Sequence, residues 1–506
     1  MSESKPTSAQ YTGEVELPRV QVALTLNTPP AASSDRPPVV ESQGKVTVGE
    51  RTLAYQAKAG HFTVRTDDGK PWAEFFFTAY TLDGAGEPQN RPLLFAFNGG
   101  PGSSSVWLHM GAWGPRRVVL GPEGEALPPP ARLADNPGTL LDVADLVFID
   151  PVGTGLSKAA EGVDADQFWN VEGDVDSVAA FITQYLTANG RWASPIYLGG
   201  ESYGTMRSAG LAQKLQGDHG LYLAGIVLVS SVLSMATIRF ADGNDLPYVL
   251  YLPAYAATAW YHNALKPAQQ KLALRDLLAE AEEFALGDYA SGLLLGDRLP
   301  ASRARSLRDR LSRLTGLSTS YLEAARLRID MGRFNKELLR DRGQTVGRLD
   351  SRYLGRDRAL VSDSYEYDPS SAALSGAYTS AWNHYLGSEL GFRAEQRYQI
   401  LAPLYEKWGY GKWGNRYLNF SDCLREAMTH NPSLRVLCAN GYYDLATPYF
   451  ATEHTFAHLG LHESLRDHLQ MTYYEAGHMM YVKDECLHQL GADVRAFVAA
   501  GAGTLS

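Results

Sequence analysis

The chain has 506 residues, more than the roughly 250 to 300 that one minimal domain built on a central sheet requires. It is 45% hydrophobic and 20% charged, which is enough apolar material for a large core, and its net charge of −10 argues against binding to nucleic acid or anionic membranes. The three cysteines, Cys423, Cys438 and Cys486, are too few for a disulfide framework. We therefore expect a large globular protein with an insertion and with free thiols in a reducing compartment.

Residues 1–44 predict a flexible leader. They contain two proline pairs and a serine pair, and they lack the continuous apolar segment of a secretory signal. No run of 18 apolar residues follows elsewhere, so we predict no transmembrane helix. From these features we expect a cytoplasmic protein.

The next part of the chain predicts strands and a glycine-rich loop. Residues 45–82 alternate in strand fashion around a turn at residues 67–69, which indicates an antiparallel start to a sheet. The apolar run at residues 93–97 is followed at residues 98–105 by Asn-Gly-Gly-Pro-Gly-Ser-Ser-Ser. This loop lacks the spacing of a phosphate-binding loop, and taken alone it is typical of a plain Gly-Pro turn.

Residues 200–204, Gly-Glu-Ser-Tyr-Gly, lie in a strand–turn–helix context. An apolar run at residues 195–198 precedes them and a helical pattern at residues 205–215 follows. This is the setting of a nucleophile elbow, in which glycines relieve the crowding of a sharp turn and leave Ser202 exposed. Without other motifs, an ordinary connection between a strand and a helix fits equally well.

After residue 234 the pattern becomes helical. We predict helices over residues 267–286, 300–314 and 319–340; the first two have proline in the first turn, and Gly316 ends the second. Residues 235–426 are therefore predicted to form a mainly helical cap between two parts of the core, residues 45–234 and 427–506. The arginines at residues 303–313 are interpreted as a solvated helix face, because acidic residues flank them.

Two strands with polar loops follow the predicted cap. The apolar run at residues 434–439 leads into a loop that carries Asp444, and the strand-like residues 470–474 lead to His478. Carboxyl ends of parallel strands meet at one edge of a sheet, and the chain order Ser, Asp, His is that of α/β-hydrolases. The candidate catalytic triad is therefore Ser202, Asp444 and His478.

A second group of histidines is spaced by four residues. His454, His458 and His462 are predicted to lie along one helical face. Thr455 stands where the zinc-binding helix pattern requires glutamate. We interpret these histidines as a solvated or half-buried helix face, with no metal.

The separated motifs together resemble the serine carboxypeptidase family of α/β-hydrolases. They comprise residues 98–105, residues 150–157 (Asp-Pro-Val-Gly-Thr-Gly-Leu-Ser), residues 200–204, Asp444 and residues 477–479 (Gly-His-Met). The resemblance implies an α/β-hydrolase fold, with a mostly parallel central sheet flanked by helices and a helical cap insertion. It also implies that Ser202 is the nucleophile, His478 the general base and Asp444 the residue that orients it, while the amides of Gly100 and Tyr203 form the oxyanion hole.

The same resemblance implies where a substrate binds. Asn98, Gly99 and Glu201 would contact the substrate, with Asn98 and Glu201 binding its terminal carboxylate, and Met479 would line the pocket for the leaving residue. An amide and a protonated carboxyl group are suitable donors to a carboxylate. The implied activity is serine-type hydrolysis of C-terminal peptide bonds through an acyl-enzyme, with no cofactor and no metal.

We expect peptide or protein C-termini as substrates, and neither nucleic acid nor a membrane as a partner; a homodimer stays open. Other reactions on the same triad also stay open, namely those of an esterase, an acyltransferase or a proline-releasing aminopeptidase. A catalytically silent binding protein is disfavoured because every triad position is filled.

Four positions depart from the family pattern. Ala96 replaces a tryptophan, Ser103 a loop cysteine that forms a disulfide in secreted relatives, and Thr447 a cysteine three residues after Asp444. Ala112 replaces a second glutamate that partners the carboxylate-binding one. We expect Ala112 to leave Glu201 with a smaller rise in pKa unless burial alone supplies it.

Overall fold

The computed structural model describes residues 39–502 of the chain. It contains a ten-stranded sheet and two small two-stranded sheets. The strands are β1 (Val39–Val48), β2 (Arg51–Arg65), β3 (Pro71–Leu82), β4 (Leu93–Phe97), β5 (Arg116–Val118), β6 (Leu133–Asp135), β7 (Asp145–Ile149), β8 (Lys158–Ala159), β9 (Ile196–Glu201), β10 (Gly225–Val229), β11 (Thr345–Val346), β12 (Leu354–Gly355), β13 (Arg435–Gly441) and β14 (Leu469–Tyr474).

Thirteen α-helices lie among the described residues. They are α1 (Val171–Ala188), α2 (Tyr203–His219), α3 (Leu246–Tyr261), α4 (Pro267–Gln270), α5 (Leu274–Phe284), α6 (Ala290–Leu293), α7 (Ala301–Thr315), α8 (Thr319–Ala324), α9 (Met331–Glu337), α10 (Pro369–Ser388), α11 (Ser421–His430), α12 (Tyr449–Ala457) and α13 (Asp484–Ala502). A π-helical segment, Leu108–Trp113, follows the glycine-rich loop.

The main sheet has the order β1-β2-β3-β7-β4-β9-β10-β13-β14, and β8 pairs with β3. β1, β2, β3 and β7 pair antiparallel, whereas β7, β4, β9, β10, β13 and β14 pair parallel. This arrangement confirms the predicted α/β-hydrolase fold with its antiparallel start. The first strand begins at Val39, inside the range predicted as leader, and residues 1–38 lie outside the described residues.

Each face of the sheet is covered by helices, so the central strands are apolar throughout. Successive residues of β4 alternate between the two sides: Phe95 packs in the cluster with α1 and α2, and Leu94 packs in the cluster with α10 and α13. All five residues of β4 are buried. The fold thereby fixes the carboxyl ends of β4, β9, β10, β13 and β14 at one edge.

The predicted cap is mainly helical from α3 to α10 and has its own apolar cluster. This cluster continues into the core through Tyr443, Leu445 and Tyr449, which follow β13. Residues 389–420 contain short 3₁₀ turns and form isolated β-bridges with the core. The predicted boundary at residue 426 falls within α11, which packs against α2 of the core.

Two of the predicted cap helices are interrupted. Residues 319–340 form α8 and α9 instead of one helix, because Arg326 and Leu327 adopt positive φ angles of 51° and 66° between them. Residues 267–286 are likewise broken between α4 and α5. Asp330 caps α9 by accepting a hydrogen bond from the Arg333 amide. This N-cap marks the start of a new helix, but the continuous helical periodicity of the sequence did not indicate it.

The histidine prediction was wrong in its geometry. Helix α12 ends at Ala457, so His458 is its C-terminal cap and His462 lies beyond it. Only His454 and His458 are neighbours, with ring centroids 4.1 Å apart.

No helix between residues 39 and 502 has the length and apolar character needed to cross a membrane.

Candidate active site

Ser202 lies at a strained turn between β9 and α2. Its φ of 60° is in the left-handed region that favours glycine, and its side chain is partly accessible while both neighbours are buried. A Cβ on Gly200 would come within 2.3 Å of the Gly204 carbonyl oxygen, so the flanking glycine is sterically required. The predicted elbow is therefore present, with its serine presented at the carboxyl edge of the sheet.

Asp444 and His478 meet at the same edge. Nδ1 of His478 lies 2.7 Å from Oδ2 of Asp444, and both side chains are buried. The other carboxylate oxygen, Oδ1, accepts hydrogen bonds from the amides of Ala446 and Thr447 at 2.7 and 2.9 Å. Asp444 is thus fixed in one orientation and can hold the imidazole with Nε2 free.

Thr447 adds a hydroxyl to this pair. Its Oγ1 lies 2.8 Å from Oδ2 of Asp444, 3.0 Å from the Ser230 carbonyl oxygen and 3.2 Å from Nδ1 of His478. It stands where relatives are expected to carry cysteine. The three cysteines of the chain are free, and burial raises the pKa of each thiol to about 11 or 12.

The backbone of His478 is fixed from two sides. Its amide donates to the carbonyl of Leu349 in the cap at 2.6 Å, and its carbonyl accepts from the Ser230 hydroxyl at 2.6 Å. Burial alone would lower the pKa of His478, but the carboxylate of Asp444 outweighs it, and the pKa is raised. The imidazole is therefore suited to accept a proton and to hold it beside Asp444.

The glycine-rich loop packs directly on the elbow. A Cβ on Gly99 would lie 2.4 Å from the Tyr203 amide nitrogen, so only glycine fits. Among the described residues, no turn, loop or side-chain hydrogen bond uses the amides of Gly100 or Tyr203. Two amide donors beside Ser202 are consequently available to an oxyanion.

Asp150 holds the far end of this loop. Its Oδ1 accepts hydrogen bonds from the amide and the hydroxyl of Ser105, both at 2.9 Å. Burial raises the pKa of Asp150 to about 6. The loop is also fixed at Asn98, whose carbonyl accepts a hydrogen bond of 2.7 Å from the buried guanidinium of Arg207.

Glu201 and Asn98 lie together beside Ser202. Glu201 is 4% exposed, and its Oε2 accepts a hydrogen bond of 2.7 Å from the Tyr481 hydroxyl. Burial raises the pKa of Glu201 to about 7, against the opposing effects of His478, Tyr481 and Asn98. Within the described chain, Nδ2 of Asn98 is buried and completes no hydrogen bond, although it lies near the Glu201 carboxyl.

These groups open into one cavity of about 620 Å³ between core and cap. Its walls include seven of the predicted residues: Asn98, Gly99, Gly100, Glu201, Ser202, His478 and Met479. A slightly larger cavity, about 710 Å³, lies within the cap and touches none of the predicted site residues. We take the smaller cavity as the site because the reactive groups converge there.

Several contributors to the site could not be identified from sequence. Tyr481, Ser230, Arg207 and Asp150 act through contacts between residues far apart in the chain, whereas Thr447 lies three residues after Asp444, where the family pattern has cysteine. Among the first four, Asp150 alone could have been recognised from the sequence, because it is the first residue of one of the five motifs. Among residues 39–502, no group of three or more His, Cys, Asp or Glu residues is arranged to hold a metal ion.

Comparison with known proteins indicates which proteins this chain resembles. The sequence model of the serine carboxypeptidase family matches residues 48–237. Serine carboxypeptidase-like 50 of Arabidopsis thaliana is 27% identical over 275 residues, which cover 53% of this chain and 54% of that protein. Pheromone-processing carboxypeptidase KEX1 of Saccharomyces cerevisiae is 31% identical over 140 residues, 26% of this chain and 18% of that protein.

A solved structure shares the fold. The crystal structure of KEX1(delta)p, a prohormone-processing carboxypeptidase from Saccharomyces cerevisiae, matches with a TM-score of 0.55 and 16% identity, over 87% of this chain and 91% of that one. The aligned region spans about half the length of the Arabidopsis relative and less than a fifth of the yeast one. The family match and these relatives support assignment of the chain to the serine carboxypeptidase family.

Proposed function

We propose that this protein is a serine carboxypeptidase that removes C-terminal residues from peptides. The observation that carries the proposal is the buried pair beside Ser202: an Asn98 amide whose Nδ2 completes no hydrogen bond within the described chain, next to a Glu201 carboxyl whose pKa burial raises to about 7. A buried donor without a partner is costly unless a ligand satisfies it. A terminal carboxylate fits both groups, whereas a substrate amine would leave the Asn98 donor unsatisfied.

Catalysis would follow from the contacts around His478. Its Nε2 would remove the proton of the Ser202 hydroxyl as Oγ attacks the scissile carbonyl, and Asp444 would stabilise the imidazolium through Nδ1. The amides of Gly100 and Tyr203 would donate to the oxyanion. Collapse would break the C–N bond, with the proton passing from Nε2 to the leaving amine, and water would then hydrolyse the acyl-enzyme with His478 as the base.

The proposal is tested with matched substrates. A blocked dipeptide with a free C-terminus should be hydrolysed with a higher kcat/KM than the same dipeptide amide, and an organophosphonate should label Ser202 with loss of activity. Equal rates for acid and amide would overturn the carboxypeptidase assignment and leave a less selective hydrolase. Failure to label Ser202 would overturn the triad.

Glu201 should make the preference for free acids depend on pH. Only its protonated form donates to a substrate carboxylate, so the preference should hold below the pKa of about 7 and decline as the pH rises through it. The charged or titratable groups that act on this carboxyl are His478, Asp444 and Tyr481. The measurement is kcat/KM against pH for the acid and amide pair.

Glu201→Gln provides the sharp comparison. Its amide keeps a donor at every pH, so the acid-to-amide ratio should become flat near pH 7 while the decline persists in the wild type. A decline of equal size in both proteins would assign the effect to His478 instead. Restoring the family's second glutamate with Ala112→Glu would be a poorer test. Ala112 is fully buried in the core, and glutamate there would overpack it.

A further inference from the structure

Arg348 is attached to both loops of the catalytic pair. Its carbonyl accepts a hydrogen bond of 3.1 Å from the amide of Leu445, directly after Asp444, while the carbonyl of the next residue, Leu349, accepts from the His478 amide. Its own amide donates to Oδ1 of Asp368 at 2.9 Å. The main chain therefore holds this residue at the wall of the active-site cavity.

The guanidinium of Arg348 faces that cavity unpaired. Arg348 is half-buried and lines the cavity, yet in the described part of the chain its side chain has neither an ion pair nor a hydrogen bond. It lies close enough to His478 to act against protonation of the imidazole. Between residues 39 and 502, the buried arginines and the buried lysine all form ion pairs; Arg207, for example, binds Asp174.

The charged groups around the cavity leave it positive. Its walls carry Arg348, Arg397, Asp368, Glu201 and His478. The Asp368 carboxylate is engaged by the amides of Arg348, Leu349 and Ser370 as the N-cap of α10. Below pH 7, Glu201 is largely neutral, so the two arginines exceed the remaining negative charge.

Resting on the function proposed above, we infer that Arg348 forms a subsite for an acidic side chain, so that the enzyme prefers peptides with aspartate or glutamate next to the scissile bond. The guanidinium is planar and pre-organised, so it loses less rotamer entropy per hydrogen bond than a flexible donor would, and it can donate two hydrogen bonds to one carboxylate. Arg397 adds positive charge from a neighbouring segment, in which the Ile400 carbonyl accepts a hydrogen bond from the Ser104 amide of the glycine-rich loop and Gln399 pairs with Gly155.

The experiment compares four blocked dipeptides at pH 6. Benzyloxycarbonyl-Phe-Glu and -Phe-Gln place the charge on the leaving residue, and benzyloxycarbonyl-Glu-Phe and -Gln-Phe place it on the residue before the bond. One glutamate peptide should exceed its glutamine partner by about tenfold in kcat/KM, as a partly exposed charge-assisted pair allows. The position at which the preference appears assigns the subsite.

Arg348→Gln should abolish this preference without changing the melting temperature, because the guanidinium makes no contact that folding requires. Arg348→Lys should keep part of it. Arg305→Gln, on the exposed face of α7 away from the active site, is the matched control and should keep all of it.

Three results would count against the inference, and they separate it from the proposed function. Hydrolysis of none of the four peptides would overturn the proposed function itself. Equal rates for glutamate and glutamine peptides at both positions would overturn the Arg348 subsite alone. If Arg348→Gln instead lost the preference for a free acid over an amide, Arg348 would bind the terminal carboxylate, and the inference would be wrong.

Discussion

Ser202→Ala and His478→Ala should each lower kcat/KM by about 10⁴-fold or more, because each removes one part of a unit that acts in a single chemical step. Both residues line the same cavity, and His478 is held by Asp444 at 2.7 Å. The measurement is steady-state hydrolysis of a blocked dipeptide with a free C-terminus. Folding is checked by circular dichroism and melting temperature.

The double variant is the more demanding part of this test. Its loss should be about as large as that of either single variant, because removing a second part of a disabled unit removes little more. Ser320→Ala and His458→Ala, at exposed positions outside the cavity, are the matched controls and should be fully active. Near-normal activity of either single variant, or losses that multiply, would refute the proposed triad.

The sequence predicted where candidate residues lie in the fold wherever those residues follow strands. Strand β10 lies at residues 225–229 as predicted, and Asp444 and His478 follow β13 and β14 as expected. Parallel strands have only one carboxyl edge, so chain order and strand ends were sufficient to bring these loops together.

The remaining features depend on contacts that no local pattern encodes. The Tyr481 hydroxyl reaches Glu201 across 280 positions of sequence, and Arg207 reaches Asn98 across 109. The break between α8 and α9 falls at Arg326 and Leu327, which adopt positive φ although neither is glycine. Tertiary packing decides such cases against local propensity.

The rise in the pKa of Glu201 shows how the substitution at residue 112 is accommodated. The expectation was a smaller rise unless burial supplied it, and burial is the largest cause of the shift to about 7. The Tyr481 hydroxyl, and not a second glutamate, donates a hydrogen bond to the Glu201 carboxyl. A hydroxyl donor favours the ionised form of Glu201, whereas a second carboxylate would disfavour it. The net rise therefore comes from desolvation and needs no like-charged neighbour.

Asp174→Asn should destabilise the protein by about 3 to 5 kcal/mol, because it leaves the charge of Arg207 buried without compensation. Nε of Arg207 lies 3.0 and 2.9 Å from the two carboxylate oxygens, and the two residues are 2% and 3% exposed. The measurement is the free energy of unfolding in urea. Asp176→Asn breaks an exposed pair with Lys214 on the same helices and should cost about 1 kcal/mol or less.

A neutral pair separates the two roles of Arg207. Asp174→Leu combined with Arg207→Met should recover much of the stability lost by Asp174→Asn, since an apolar pair avoids burying charge. It cannot restore the 2.7 Å hydrogen bond from Arg207 to the Asn98 carbonyl, so the preference for free acids over amides should fall even in a stable protein. If Asp174→Asn lowered the free energy of unfolding by no more than Asp176→Asn does, the buried ion pair would contribute no more stability than the exposed one. If the neutral pair kept the full acid preference, the loop would hold Asn98 without Arg207.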